Sequence, residues 1–222
     1  MVRKSTTSFD ASTFFSHVTI PTNDMGLVRI SRLVLIKWLS TPTIFLLWTS
    51  VYEFRVYVNS FSSLCKSLQN TIRQRALLVK KIQILERTMN KAIPALERNI
   101  RKTLDTTENL DLSLFGFIVD GSKISLPVEY ELRINALKLL ERRLKLFSIK
   151  LNKQDMLFWK SVRPQFQECL NELVALDSVI EQKESSKAFY KEQIQITLQS
   201  LIYCLKSNFP KTYKYEFQNW GF

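Results

Sequence analysis

Residues able to carry nucleophilic or metal chemistry are few and scattered in this chain. The one histidine, His17, cannot by itself supply a pair of metal ligands or complete a catalytic triad. The three cysteines, Cys65, Cys169 and Cys204, are widely spaced, and none has a local base that would activate its thiol. Isolated cysteines are typical of a reducing compartment, so we expect an intracellular protein of the cytoplasm or nucleus. The sequence indicates neither a nucleophilic centre nor a metal site.

Acid–base and phosphate chemistry are no better supported. The close carboxylates Glu129 with Glu131, and Glu181 with Glu184, fall on predicted helix surfaces, where solvated side chains are the usual explanation. No glycine-rich phosphate loop, zinc-protease helix or EF-hand spacing occurs in the sequence. The sequence therefore predicts a protein that is not an enzyme, with no catalytic residue and no cofactor.

Composition indicates which elements this chain can build. Its 222 residues are 45% hydrophobic, which is enough for one sizeable core or two smaller ones. Only four glycines and six prolines interrupt it, and the long segments between them are rich in helix-forming residues. The net charge of +12 fits either charge balance within the chain and solubility, or an acidic partner surface: a filament, a nucleic acid or an anionic lipid.

Residues 61–104 are predicted to form a long basic helix. Apolar side chains recur at steps of mostly three and four, which places them on one face. We expect Pro94 to kink this helix or to start a second one. The segment has ten basic residues against two acidic ones. The candidate basic face consists of Lys80, Lys81, Arg87, Lys91, Arg98, Arg101 and Lys102.

Residues 127–206 carry heptad spacing on both sides of Pro164. We therefore predict a helical hairpin that turns at Pro164, with residues 61–104 or a partner helix completing the bundle. The polar stretch around Lys183 is either a turn or a solvated part of one helix, and the lack of Gly and Pro favours continuous helix. The candidate partner-binding seam consists of Leu137, Leu140, Leu144, Phe147, Leu151, Leu173, Leu176, Ile180, Tyr190, Ile194 and Leu201.

Residues 27–58 are the most apolar part of the chain. Lys37 and Pro42 divide the run, which favours two short buried helices joined at Pro42. The alternative is a membrane anchor over residues 27–51, because the run is long enough to cross a bilayer.

Three other segments have distinct compositions. Residues 1–26 are predicted to be a flexible, basic, Ser/Thr-rich tail. Residues 105–126 form an acidic loop or hairpin, with an Asp-Gly turn between β-branched and aromatic residues near 115–124. Residues 207–222 are an aromatic tail that either folds back on the core or docks on a partner, and we favour folding back.

Together these patterns predict an all-α fold. We expect an elongated helical bundle with coiled-coil-like long helices and at most one small β-hairpin near 115–124. The layout is similar to that of long-helix subunits in spindle, kinetochore and vesicle-tethering complexes, although no diagnostic motif accompanies it. We therefore expect a non-catalytic structural or interaction subunit that pairs with helical proteins in a hetero-complex. The alternatives are a membrane-anchored helical protein using residues 27–51 and a non-specific nucleic-acid binder using the basic helix.

Overall fold

The structure, a computed structural model, describes residues 19–104, 110–121 and 123–222. Its α-helices are α1 (Asp24–Leu39), α2 (Val51–Thr103), α3 (Tyr130–Leu146), α4 (Lys153–Asn208) and α5 (Tyr213–Trp220). A 3-10 helix, Leu112–Phe115, precedes one antiparallel hairpin of β1 (Ile118–Asp120) and β2 (Lys123–Ser125). The predicted all-α fold with long helices and one small hairpin is therefore confirmed. The first 18 residues of the predicted tail lie outside the described residues.

The described residues divide into two compact units. Unit 1 comprises those up to Gln69 together with Gln182–Phe222, and unit 2 comprises those of Asn70–Glu181. The long helices α2 and α4 each contribute to both units. The polar stretch around Lys183 lies inside α4, so the prediction of continuous helix there is confirmed.

Unit 1 is held together by apolar faces of α1, α2, α4 and α5. The C-terminal aromatic segment is part of this core, since Phe217 and Trp220 of α5 are buried in it. The interpretation that this segment folds back is therefore correct. The buried core residues are Leu27, Ile30, Val34, Leu35, Trp38, Ile44, Phe54, Val58, Phe61, Ile194, Leu198, Leu201, Ile202, Leu205, Phe217 and Trp220.

The expected second short helix after Pro42 is absent. Helix α1 ends because the hydroxyls of Ser40 and Thr41 donate to the Lys37 carbonyl, and Pro42 follows without an N–H. Helix α2 begins at a capping box, in which the Glu53 carboxylate accepts from the Ser50 N–H at 2.7 Å and the Ser50 hydroxyl accepts from the Glu53 N–H at 3.2 Å. The residues between these two signals, 42–49, form a loop. No described helix is long and apolar enough to cross a membrane.

Unit 2 packs α3 and the first part of α4 against α2 and the hairpin segment. Gly116 closes the 3-10 helix with φ of 88°, and a Cβ there would lie 2.7 Å from the Ala136 carbonyl oxygen, so only glycine fits. The buried core residues are Leu78, Ile82, Met89, Ile93, Leu96, Ile100, Leu112, Phe115, Phe117, Leu126, Ala136, Leu137, Leu140, Ile149, Trp159, Val162, Phe166, Cys169 and Leu170.

The hairpin turn predicted at Pro164 lies elsewhere. Helix α3 ends at Leu146, Ser148 adopts a positive φ of 49°, and α4 starts after Asn152, whose side chain accepts from the Asp155 N–H at 2.8 Å. Pro164 and Pro94 are both inside continuous helices. A proline removes one helical hydrogen bond, and the packed apolar faces on both sides of each proline keep the helix unbroken.

Candidate functional site

One surface of unit 2 combines long basic side chains with exposed aliphatic ones. On α2 the core line runs through Ile82, Met89 and Leu96, all 1% exposed. Because successive residues of a helix are rotated by about 100°, a second line of residues lies roughly opposite the core line on the same helix. Its residues follow steps of four and three, the heptad spacing of a helix-pairing seam. We call this line the outer face; it consists of Arg73, Leu77, Lys80, Ile84, Arg87 and Lys91, all exposed.

The two aliphatic members make the outer face more than a solvated charged surface. Leu77 is 65% exposed and Ile84 61% exposed, one heptad apart. No acidic side chain of the described residues forms an ion pair with the basic members of the face. The face therefore offers apolar contact and uncompensated positive charge along the same helix.

Contacts on the opposite side of α2 fix the orientation of this face. Arg133 of α3 donates to the Glu86 carboxylate of α2, and its Nε also donates to the Pro127 carbonyl at 2.7 Å. Arg75 of α2 forms an ion pair with Asp177 of α4, and the hydrogen bond from Arg75 lowers the pKa of Asp177. These pairs, with the apolar core, set the rotation of α2 and so determine which residues face outwards.

The structure separates the predicted basic face into two groups. Five of its members lie on the side of α2 away from the core and are exposed, namely Lys80, Arg87, Lys91, Arg98 and Lys102. The other two lie towards the flanks of the helix: Lys81 is exposed, and Arg101 is half-buried in an ion pair with Glu97 at 2.9 Å.

The predicted partner-binding seam is largely occupied by contacts within the chain. Leu137 and Leu140 are buried in the core of unit 2, and Leu144, Leu151, Leu173 and Leu176 pack against that core. Ile194 and Leu201 are buried in the core of unit 1, where Tyr190 packs at the edge. Phe147 is 37% exposed, and Ile180 is half-buried. The use of these residues by a partner stays a prediction, and only the partly exposed ones are accessible in this structure.

A second charged cluster, in unit 1, has an internal role. Asp24 at the start of α1 accepts from Lys187 and Lys191 of α4, each at 3.0 Å. Burial raises the pKa of Asp24, but the two lysines together outweigh burial, so this pKa is lower than usual. Nearby, burial raises the pKa of the Cys65 thiol. Lys187, in the predicted polar stretch, and Lys191, one turn further along, therefore anchor α1 to α4.

Candidate metal ligands and cysteines lie as follows in the part of the chain that the structure describes. Those residues contain no group of three or more His, Cys, Asp and Glu side chains that could hold a metal ion. The cysteines at 65, 169 and 204 are free, and Cys169 is buried in the core of unit 2. His17 lies outside the described residues.

Two groups of exposed apolar residues were not predicted from the sequence. Leu77 and Ile84 lie among charged neighbours and outside the apolar stripe of α2, so only their mutual heptad spacing could have signalled them. Phe45, Leu47 and Trp48 belong to the segment predicted to be buried, yet they are 68%, 94% and 49% exposed. Nothing in their spacing distinguishes them from core residues.

Comparisons with known protein families, with curated proteins and with solved structures find no match to this chain. Its function must therefore be argued from its own surfaces.

Proposed function

We propose that this protein is a non-catalytic interaction subunit that pairs the outer face of α2 with an acidic amphipathic helix of a partner protein. The observation that carries the proposal is the heptad-spaced line in which exposed Leu77 and Ile84 alternate with basic residues. Solvent-exposed aliphatic residues one heptad apart, with basic residues at the alternate positions of the same line, favour a helical partner that combines apolar residues with the opposite charge.

The shape of the seam favours a helix as the partner. Knobs from a second helix fit the holes formed around Leu77 and Ile84, and burying such a side chain fully contributes about 1.5–3 kcal/mol. Each exposed ion pair made by the basic residues of this line adds only about 0.2–1 kcal/mol, so the two aliphatic residues supply much of the affinity. The basic residues mainly select acidic partners and set the register.

A nucleic acid fits this face less well. Phosphate contacts use lysine and arginine but gain little from aliphatic side chains, and base stacking requires aromatic rings. The outer face has no aromatic residue among Arg73, Leu77, Lys80, Ile84, Arg87 and Lys91. An acidic amphipathic helix can contact both the basic and the aliphatic side chains, so it accounts for the whole outer face.

The test uses the full chain and a designed, fluorescently labelled helical peptide with Leu at its a and d positions and Glu at the flanking positions. Anisotropy titration measures binding to the unmodified protein and to Ile84→Asp. We expect Ile84→Asp to weaken binding at least about tenfold, through lost burial and new repulsion from glutamate. The matched control is Ile72→Asp, since Ile72 is 46% exposed on the same helix but lies away from the outer face.

Three results would contradict the proposal. The first is that the peptide does not bind the unmodified protein, and the second is that Ile84→Asp and Ile72→Asp weaken its binding equally. The third is tight binding of duplex DNA that is unaffected by Ile84→Asp and lost on replacing Lys80 and Arg87 with Gln, which would assign the face to nucleic acid.

A further inference from the structure

The loop between α1 and α2 presents an apolar tip to solvent. Phe45 is 68% exposed and Leu47 is 94% exposed, and Trp48 and Tyr52 beside them are 49% and 69% exposed. Together with Leu39, 46% exposed at the end of α1, these side chains border one surface groove. Exposed apolar patches of this kind mark interaction surfaces, because an ordinary surface loop is polar.

The loop is fixed on both sides of its tip. The Trp38 indole N–H donates to the Ile44 carbonyl at 2.8 Å, and Ile44 is 4% exposed. On the other side, Thr49 is 6% exposed and the Ser50–Glu53 capping box starts α2. The backbone is therefore anchored at both ends while the side chains of the tip point outwards, so they can be inserted elsewhere without unfolding the unit.

Basic residues outnumber acidic ones at the helix ends next to this loop. The loop joins the end of α1 to the start of α2, where the Trp38 and Phe54 rings are 5.7 Å apart. It also lies near the end of α4, because the Cys204 sulfur is 4.0 Å from the Phe45 carbonyl oxygen. Lys206 of α4 stacks over the Phe217 ring of α5 at 5.8 Å, which brings the start of α5 to the same end of unit 1. These helix ends carry five basic residues, Lys37, Arg55, Lys206, Lys211 and Lys214, against two acidic ones, Glu53 and Glu216.

We propose that this end of unit 1 docks on the surface of a membrane that contains anionic lipid. Phe45 and Leu47 would enter the acyl-chain boundary, while Trp48 and Tyr52 lie at the headgroup level, where aromatic side chains with a polar atom are favoured. The lysines and the arginine of the neighbouring helix ends would meet the negative headgroups. A bilayer suits an apolar tip on an irregular loop, because it accepts side chains without requiring a complementary protein shape.

Tryptophan fluorescence gives this proposal a specific readout. The chain has four tryptophans, and Trp38, Trp159 and Trp220 are at most 4% exposed, which leaves Trp48 as the accessible one. The full chain is mixed with vesicles of phosphatidylcholine and phosphatidylserine, with and without brominated acyl chains that quench tryptophan. We expect the brominated vesicles to quench the emission, and Trp48→Phe to remove the quenched component.

Vesicle sedimentation then tests which residues hold the protein on the membrane. We expect Leu47→Asp to weaken partitioning about tenfold or more. The control is Leu157→Asp, because Leu157 is 59% exposed on α4 within unit 2 and receives the same change. Omitting phosphatidylserine, or adding salt, should also weaken partitioning.

The proposal is overturned if the chain does not bind the mixed vesicles, which would leave an apolar protein as the occupant of the tip. It is also overturned if Leu47→Asp and Leu157→Asp partition alike, or if bound protein shows no quenching of Trp48.

Discussion

Replacing Arg133 with leucine tests how unit 2 holds α2 in place. Arg133 joins α3 to α2: its guanidinium donates to Glu86, to the Pro127 carbonyl at 2.7 Å and to the Val128 carbonyl at 3.3 Å. Its charge also lies 5.6 Å from the centre of the Phe166 ring. Leucine fills similar space but leaves the Glu86 carboxylate and the Pro127 carbonyl without these donors.

The expected loss follows from how deeply this ion pair is buried. The side chains of Arg133 and Glu86 are 10% and 25% exposed. Removing one partner of a buried pair typically costs about 3–5 kcal/mol. Water can reach part of the Glu86 carboxylate, so we expect the lower end, about 3 kcal/mol, for Arg133→Leu. That is a large share of the ~5–15 kcal/mol by which domains are usually stable.

The chain supplies a matched control. Arg75 and Asp177 also join α2 to another helix of unit 2, but their side chains are 42% and 48% exposed. Arg75→Leu should therefore cost only ~0–1 kcal/mol. Urea denaturation followed by circular dichroism measures both variants, and hydrogen-exchange mass spectrometry locates the loss to amides of unit 2.

A double variant separates lost charge pairing from lost packing. Arg133→Leu combined with Glu86→Leu leaves no unpaired carboxylate, so it should be more stable than Arg133→Leu alone. The reasoning fails if Arg133→Leu is as mild as Arg75→Leu, or if adding Glu86→Leu lowers stability further.

Three further predictions concern single positions. Because the pKa of Asp24 is lower in the folded chain than its usual value near 3.8, unit 1 should lose stability as pH falls below about 4; Asp24→Asn should flatten that dependence in acid denaturation. Gly116→Ala should cost at least ~1–3 kcal/mol in thermal unfolding, because φ is 88° and a Cβ would meet the Ala136 backbone. Ile194→Ala should cost about 2–5 kcal/mol, whereas Ile196→Ala, at a position 44% exposed, should leave the melting temperature nearly unchanged.

The long helices could be predicted from the sequence because their pattern is local. The apolar stripe through Ile82, Met89 and Leu96 has helical spacing, and these residues are the buried ones. The hairpin near 115–124 was predictable for the same reason, since an Asp-Gly turn between β-branched residues is a short-range signal.

The errors arose where packing overrides a local signal. Pro164 predicted a turn, but the helix continues through it because Val162 and Phe166 are both buried in one core. Pro42 predicts a joint between two short helices, yet residues 42–49 form a loop and the Ser50–Glu53 capping box marks the start of α2. In both places, the neighbouring residues determine where the helix begins or continues, and the proline alone does not.

The candidate surfaces depended on information that no local pattern contains. The heptad seam predicted over 127–206 is divided between two cores, with Leu140 in unit 2 and Ile194 in unit 1. The exposure of Ile84 and Leu47 follows from which faces the other helices cover, and composition cannot show this. The many basic residues of α2 are evident from the sequence. That some of them alternate with exposed aliphatic residues is visible only in the structure.

Zero-length cross-linking of the assembled complex tests the acidic-helix proposal most directly. The tagged chain is purified with its partners from its native cells and treated with a carbodiimide, which joins a lysine amine to a carboxylate without a spacer. Mass spectrometry should find Lys80 and Lys91 joined to Glu or Asp residues of a heptad-patterned helix in a stoichiometric partner, and these links should disappear with Ile84→Asp. A stoichiometric partner that gives no link to these lysines, or that is retained unchanged by Ile84→Asp, would contradict the proposal.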